Sequence, residues 1–386
     1  MRLVTFTNLY PSVEMPRHGI FVEERLRHLV ASGRIDAEVC ALRPRTALSL
    51  GSYCGSRPHH DTETRRGIQV NYLPVPTLPL VTNWIDPLLW ARASRELVTD
   101  LIGTQRNDVI LDAHFLYPDG VAAVILGRSL GVPVVMTARG SDVNVKCANA
   151  VMRRWVCWAT KRCDAVITVS RALSKKLIRF GVSEKKIEVL RNGVDLERFQ
   201  PRSGEILTPN KTQRGVVLLS AGHLVDGKGH HIAIEAISKL PDATLLIVGE
   251  GPKETELRDL AINLGVASRV RFLGYVPHER MAEIYSVANF TILASANEGM
   301  PNVILESLAC GTRVVATNVG GVGEVITASV AGALMASRHA SEVVESIRML
   351  AESKHERRET RSFAEQFGWE DTIRRQVSLY ERVASK

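Results

Sequence analysis

Much of what would decide this chain's function at a glance is missing from it. Its six cysteines, at positions 40, 54, 147, 157, 163 and 310, are scattered through 386 residues and form no CxxC pair. That argues against a disulfide framework and a cysteine-based zinc site, and reads as reduced thiols in a cytosolic protein. No apolar run reaches the roughly 18 residues of a membrane-spanning helix. The opening MRLVTFTNLYPSVEMP turns polar and proline-bearing too soon for a signal peptide. There is no DxD, no HExxH and no Cys/His cluster, so no metal requirement is legible. VGEGPKETEL lacks the third glycine of a dinucleotide fingerprint, which disfavours a nicotinamide oxidoreductase. Repeats of solenoid type and low-complexity tracts are absent too.

What is present is ordinary in bulk and uneven in charge. Apolar residues reach 45% and charged residues 23%, as in a soluble globular protein of two or three domains. The net charge of +8 is carried by one half. Residues 1–200 hold 28 Lys/Arg against 19 Asp/Glu, and residues 201–386 hold 21 against 22. A basic first half fits a polyanionic partner (anionic lipid, a phosphate-bearing substrate or nucleic acid) or merely a basic surface.

Short apolar runs alternate with amphipathic segments in both halves. RLVTFT, DAEVCAL, IQVNYL, DVILDA, VPVVMTA and DAVITV read as strands in the first half. GVVLLSAG, ATLLIVG, RVRFLG, NFTILAS and TRVVAT read as strands in the second, with helical patterns between them. Near-continuous apolar strands alternating with helices predict parallel sheets covered on both faces, hence two Rossmann-like α/β domains. The polar, proline-bearing stretch 199–215 is the natural boundary. The expected domains are 1–198 and 212–366. A final amphipathic helix over 369–386 turns Trp369, Ile373, Val377, Tyr380 and Val383 to one side. Ligands in such sheets bind beyond the carboxyl ends of the strands, and with two domains the cleft between them is the natural active site.

NEGMPNVILESLACG, residues 297–311, carries Glu298 and Glu306 eight positions apart. Pro301 suits a helix start and Gly311 a helix stop. Glu298 then lies in the preceding loop and Glu306 within the helix, with free N–H groups between them. Acid, anion site, acid over about 12 Å matches a sugar–diphosphate–ribose ligand, or simply two helix charges. SAGHLVDGKGHH sets Lys228 between glycines before another helix, either a phosphate cradle or a solvated loop lysine. Gly320 and Gly321 after a strand allow close backbone approach to a ligand, or make a tight turn. In the first half, His114 in DAHFLYPDG, Arg139 and Asp142 in TARGSDVN, and Gly19 in PRHGIFVEERL sit at strand ends or at a helix start. A lone histidine is more often structural, and sharing strand ends with Arg139 and Asp142 shifts His114 toward function.

These elements resemble the retaining glycosyltransferases of family 4, which have the GT-B fold. EGMPNVILE looks like their Glu-x7-Glu signature. GHLVDGKG, VGEGP, FLGYV, RNGVDLERF, AHFLYPDG and FGWEDTIRRQVSLYERV follow in the family's manner across essentially the whole chain. The resemblance implies that Glu298 holds donor-sugar hydroxyls and Glu306 the ribose. Backbone N–H groups of Gly299, Met300, Pro301's neighbour Asn302 and Val303 would meet the diphosphate, which Lys228 neutralises. Tyr275 and Val276 would lie against the base. His114 would approach the donor sugar from the opposite domain, Gly19, Arg139 and Asp142 would lie on the acceptor side, and the last helix would cross back to the first domain. His223 stands where the family usually has arginine, so the diphosphate clamp differs here.

The expected protein is therefore a metal-independent hexosyltransferase without a cofactor, using a UDP- or GDP-linked sugar. Its acceptor would be a glycan or lipid-linked glycan in cell-surface polysaccharide or glycolipid synthesis. It is expected in the cytoplasm or peripherally at the inner face of the membrane, and no nucleic acid partner is expected. VMRRWVCWATKRC mixes Arg153, Arg154, Lys161 and Arg162 with Trp155 and Trp158, as in an interfacial helix or a surface helix with buried tryptophans. The rival readings are a non-hydrolysing sugar-nucleotide epimerase and an inactive nucleotide-sugar-binding subunit.

Overall fold

A computed structural model describes residues 1–46, 61–77, 84–104, 106, 108–202 and 215–385. Residues 203–214, most of the expected boundary, lie outside the described residues. The chain divides into two compact units, Met1–Arg191 with Glu370–Lys386, and Asn192–Trp369.

The first unit holds an eight-stranded sheet in the order β3-β4-β2-β1-β5-β6-β7-β8. Its strands are β1 (Arg2–Thr7), β2 (Asp36–Thr46), β3 (Asp61–Arg65), β4 (Ile68–Thr77), β5 (Val109–His114), β6 (Val134–Ala138), β7 (Ala165–Thr168) and β8 (Ile187–Val189). All pair in parallel except β3, which runs antiparallel to β4. Helices α1 (Ile20–Ala31), α2 (Asp86–Ile102), α3 (Val121–Leu130), α4 (Ser141–Asn144), α5 (Ala150–Arg162) and α6 (Arg171–Arg179) lie between the strands. The Asn149 side chain caps α5 by accepting from the Val151 and Met152 N–H groups, and Ser170 caps α6 through Leu173 N–H. Gly19 opens α1 at φ +78°, and a Cβ there would lie 2.2 Å from the Leu9 carbonyl, so only glycine fits.

The second unit holds a parallel sheet ordered β11-β10-β9-β12-β13-β14. The strands are β9 (Val216–Ala221), β10 (Ala243–Val248), β11 (Val270–Gly274), β12 (Phe290–Leu293), β13 (Arg313–Thr317) and β14 (Gly332–Met335). Helices α7 (His230–Ser238), α8 (Glu254–Asn263), α9 (Met281–Val287), α10 (Asn302–Ala309), α11 (Ala340–Glu352) and α12 (Arg357–Ala364) complete it. Its core joins α7 residues such as Ile232, Ala233 and Ile237 with Leu245 and Ile247 of β10 and Val343 and Ile347 of α11.

Both sheets reverse their strand order once, between β1 and β5 in the first unit and between β9 and β12 in the second. Such a switch point opens a crevice at the strand ends, because the two connections depart in opposite directions. Residues 192–198, grouped with the first domain from the sequence, pack with the second unit. Val194 N–H donates to Phe367 O at 2.9 Å and Arg361 donates to Leu196 O at 2.8 Å.

The last helix, α13 (Trp369–Ala384), buries Ile373, Val377, Tyr380 and Val383, as its periodicity predicts. It also buries a polar chain. Arg25 of α1, fully buried, donates from Nε to Gln376 Oε1 at 2.7 Å, and Gln376 Nε2 donates to the Tyr380 oxygen at 2.6 Å. Gln376→Leu strands a buried guanidinium donor, so the first unit should lose about 3 kcal/mol. Urea denaturation followed by a probe in the first unit measures it, and an unchanged midpoint would show that this bond contributes nothing.

Candidate active site

In the second unit the loops after β9, β12 and β13 close on one another at the switch point. Ala296 N–H donates to Gly227 O at 2.8 Å, joining the first two. Gly321 N–H donates to Gly299 O at 3.0 Å, joining the second and third. Gly320 has φ +56°, and a Cβ on it would lie 1.9 Å from the Glu298 carbonyl. The close approach expected at Gly320 and Gly321 is thus to the Glu298 loop itself.

This closure brings Lys228 Nζ within 2.7 Å of Glu298 Oε1. Lys228 keeps about a third of its side chain exposed. Beside them α10 begins at Asn302, with Pro301 as N-cap in extended conformation and no side chain capping the helix. Its first N–H groups face outward from the helix as an anion site. The Asn192 amide fixes this start, donating to Asn302 Oδ1 at 2.9 Å and to Met300 O at 3.4 Å. Gly299, Met300 and Pro301 are buried, Asn302 and Val303 half-buried, and Tyr275 is exposed beside half-buried Val276.

Glu306 lies inside α10 with 9% of its surface exposed. Its two oxygens have separate donors: His278 Nε2 to Oε1 at 3.0 Å and the Tyr285 hydroxyl to Oε2 at 2.8 Å. Arg198 Nη1 donates to His278 Nδ1 at 3.1 Å, which leaves the imidazole proton on Nε2, toward Glu306. Burial and then the Glu306 charge push the Tyr285 phenol well above its ordinary range, so it stays a donor. Each carboxylate oxygen retains lone pairs for a ligand hydroxyl. His278 and Tyr285 went unnoticed in the sequence. The only signal was a histidine and a tyrosine seven apart, which selects no partner.

His223 is exposed and donates from Nδ1 to the Glu250 carbonyl at 2.6 Å, which turns Nε2 outward. Behind it His230 accepts from Ser220 at Nδ1, 2.8 Å, and reaches the His223 carbonyl from Nε2 at 3.3 Å. Burial lowers His230 to about 4.

In the first unit, His114 ends β5 and is 1% exposed. Arg139 Nη2 donates to its Nδ1 at 2.6 Å, and its Nε2 donates to Asp112 Oδ2 at 2.8 Å. Burial holds the imidazole below its ordinary value, which agrees with a neutral ring accepting from a guanidinium. Burial works to raise Asp112, but the His114 and Tyr380 hydrogen bonds and the Arg139 charge bring it below the usual carboxylate range. Asp142, expected on the acceptor side, is fully buried. Its carboxylate accepts from the N–H groups of Leu116, Arg139, Gly140 and Val143 and so ties the loop after β6 to the loop after β5. Arg139 is likewise turned inward onto His114. Gly19 packs against the Leu9–Tyr10 backbone.

Comparison with known proteins now decides the family. The family described as "Glycosyltransferase Family 4" matches residues 19–198, and "Glycosyl transferases group 1" matches residues 207–367. The chain belongs to the family 4 glycosyltransferases. It is 30% identical over 347 residues to the putative teichuronic acid biosynthesis glycosyltransferase TuaC of Bacillus subtilis, covering 83% of this chain and 82% of that protein. It is 27% identical to the N-acetyl-alpha-D-glucosaminyl L-malate synthase of Bacillus anthracis over 58% of this chain and 60% of that protein. Among solved structures, sucrose-phosphate synthase from Thermosynechococcus elongatus superposes with TM-score 0.78 at 19% identity, covering 100% and 99% of the two chains. Anabaena HepE in complex with UDP and glucose gives 0.75 at 19% identity, covering both chains fully. These neighbours show the GT-B fold. As a family 4 glycosyltransferase, the chain is a nucleotide-sugar-dependent hexosyltransferase.

Two outcomes follow from the second unit's geometry. Tyr285→Phe removes a donor to a buried carboxylate and should cost the second unit about 2 kcal/mol in urea denaturation. An unchanged midpoint in the variant would show that this bond does not order the site. The second outcome concerns His230. Well above about pH 6.5 its ring is neutral folded and unfolded. As pH falls from there toward about 4, the unfolded chain takes up a proton that the folded unit refuses. The second unit should lose up to about 3 kcal/mol over that window. Comparing urea midpoints of wild type and His230→Asn across pH 4 to 7, on the order of the shift itself, checks it: the variant should show the shallower fall.

Proposed function

We propose that the enzyme transfers a hexose from a UDP- or GDP-linked sugar to a glycan or lipid-linked glycan, with retention at the anomeric carbon and without a metal ion. The observation that carries this reading is the Lys228–Glu298 pair beside the uncapped start of α10, with Glu306 held within the same helix. The departing diphosphate needs positive charge and fixed N–H donors, and Lys228 with the helix start supplies both in one place. His223, with Nε2 outward, adds a third donor when protonated. Glu298, released from Lys228 by the incoming diphosphate, takes hydroxyls of the donor sugar, and Glu306 takes those of the ribose.

The state of His114 bears on the proton. Both of its nitrogens are engaged and burial keeps it neutral, so it is poorly suited to accept a proton from the acceptor hydroxyl. That supports departure and attack on one face of the sugar, with the leaving phosphate taking the proton. The names of relatives support the product class: TuaC is named for teichuronic acid biosynthesis, and HepE was solved with UDP and glucose. They support a cell-surface glycan as product and a uridine nucleotide as leaving group. The enzyme then works in the cytoplasm, at the inner membrane face where lipid-linked acceptors are held.

Glu306→Ala should mainly weaken nucleotide binding, since ribose contacts act in ground and transition states alike. Glu298→Ala should mainly lower kcat, since sugar contacts orient the reacting centre. Calorimetry with UDP and GDP and transfer kinetics separate the two, and unchanged nucleotide affinity in Glu306→Ala overturns the ribose role. Lys228→Ala should cost about 100-fold in kcat. Activity should survive EDTA; loss in EDTA restored by magnesium or manganese ends the metal-free reading. The anomeric proton coupling of the product tests retention.

A further inference from the structure

The first unit carries a second feature that the transfer chemistry does not use. An open groove of about 500 Å³ is lined by Arg153, Arg154, Trp158, Lys161 and Arg162 of α5, with Arg179 and Phe180 at the end of α6. Five cations therefore surround one concavity. Among the described residues no carboxylate lies within ion-pair distance of any of them. The Cys157 thiol donates to Phe180 O at 3.2 Å and pins the two helices together there.

Helix electrostatics account for some of these charges but not all. Lys161, Arg162 and Arg179 lie in last turns, where the helix dipole favours cations. Arg153 and Arg154 lie at the other end of α5, whose first turn holds no acid, so the dipole opposes them. Aromatic faces hold two of the guanidiniums in place. Arg162 lies 4.8 Å from the Trp158 ring centroid and Arg153 5.6 Å from that of Phe180. The same helices also expose Val151 and Ile178, at 42% and 37%. Uncompensated cations with aliphatic and half-buried tryptophan side chains are the composition of a surface that sits on anionic lipid.

We propose that this groove is the membrane-docking site of the enzyme and that it takes the phosphate headgroup of an anionic phospholipid. The inference rests on the reading that the acceptor is held at a membrane. It does not rest on the chemistry of transfer, because docking can be read without donor or acceptor. The groove orients the first unit on the bilayer, and its attraction weakens as salt screens it.

The test uses the full chain and vesicle sedimentation. Wild type should bind phosphatidylglycerol vesicles at low salt, bind them less at physiological salt, and ignore phosphatidylcholine vesicles. The variant Arg154→Gln, Lys161→Gln, Arg162→Gln, Arg179→Gln should lose at least about tenfold in binding. A control with the same net charge, Arg92→Gln, Arg128→Gln, Arg171→Gln, Lys175→Gln, should bind nearly as wild type. Both variants should keep the UDP affinity of wild type, which separates docking from the donor site. Equal loss in the two variants means attraction by net charge alone and overturns the groove. Failure of wild type to bind anionic vesicles overturns it too. So does titration of the groove by glycerol phosphate, seen by NMR, without retention on vesicles, or tighter binding to single-stranded DNA than to vesicles. If docking holds while Glu298→Ala and Lys228→Ala keep full transfer activity, the groove stands and the proposed chemistry falls.

Discussion

A lysine ammonium beside a helix N-terminus repels the partial positive charge of that terminus. In this protein the Glu298 carboxylate at 2.7 Å compensates, so Lys228 stays at the mouth of the crevice without a ligand. Much of the second unit is arranged around that pair. The strand reversal between β9 and β12 places the two loops side by side, and the Ala296–Gly227 bond fixes their separation. The turn at Gly320 packs on the Glu298 carbonyl from a third side. Under the proposed reaction the diphosphate replaces Glu298 as the counter-charge of Lys228. The carboxylate is then released where the sugar arrives.

Glu306 is built differently. Its oxygens are held by His278 and Tyr285, and His278 is held in turn by Arg198. A carboxylate fixed in this way loses little further freedom on binding, so its contacts are pre-organised. The two acids of one motif thus differ in their partners. One is paired with a lysine, and the other is held by a histidine and a tyrosine.

In the first unit, the buried neutral His114 depends on a chain of polar groups that ends in α13. Arg139 and Asp112 fix its tautomer, and Tyr380 supports Asp112. Gln376 joins Tyr380 to Arg25. Buried polar chains of this kind are costly when half-satisfied, which makes the last helix part of the first unit's interior.

The strands and helices were legible in the sequence because they are nearly continuous apolar runs or clear helical stripes, patterns that local residues alone create. The Glu298–Glu306 spacing, Pro301, Gly311 and Lys228 were legible because helix starts and stops are local chemistry. Strand β3, DTETR, was not: it is polar, and only pairing with β4 makes it a strand. The three-residue β8 and the short β14 are likewise defined by neighbours. Spacing alone cannot show that four backbone N–H groups converge on Asp142. His278 and Tyr285 stayed hidden because their target, Glu306, lies 28 and 21 residues away. Likewise Arg179 and Phe180 join the α5 cations only because two helices end together. The sequence by itself determined which residues carry charge and where regular structure begins and ends, since both are set by side-chain chemistry and local backbone preference. The tertiary structure decided which of those charges meet, which are buried and neutralised, and which face solvent, because those outcomes depend on contacts between segments distant along the chain.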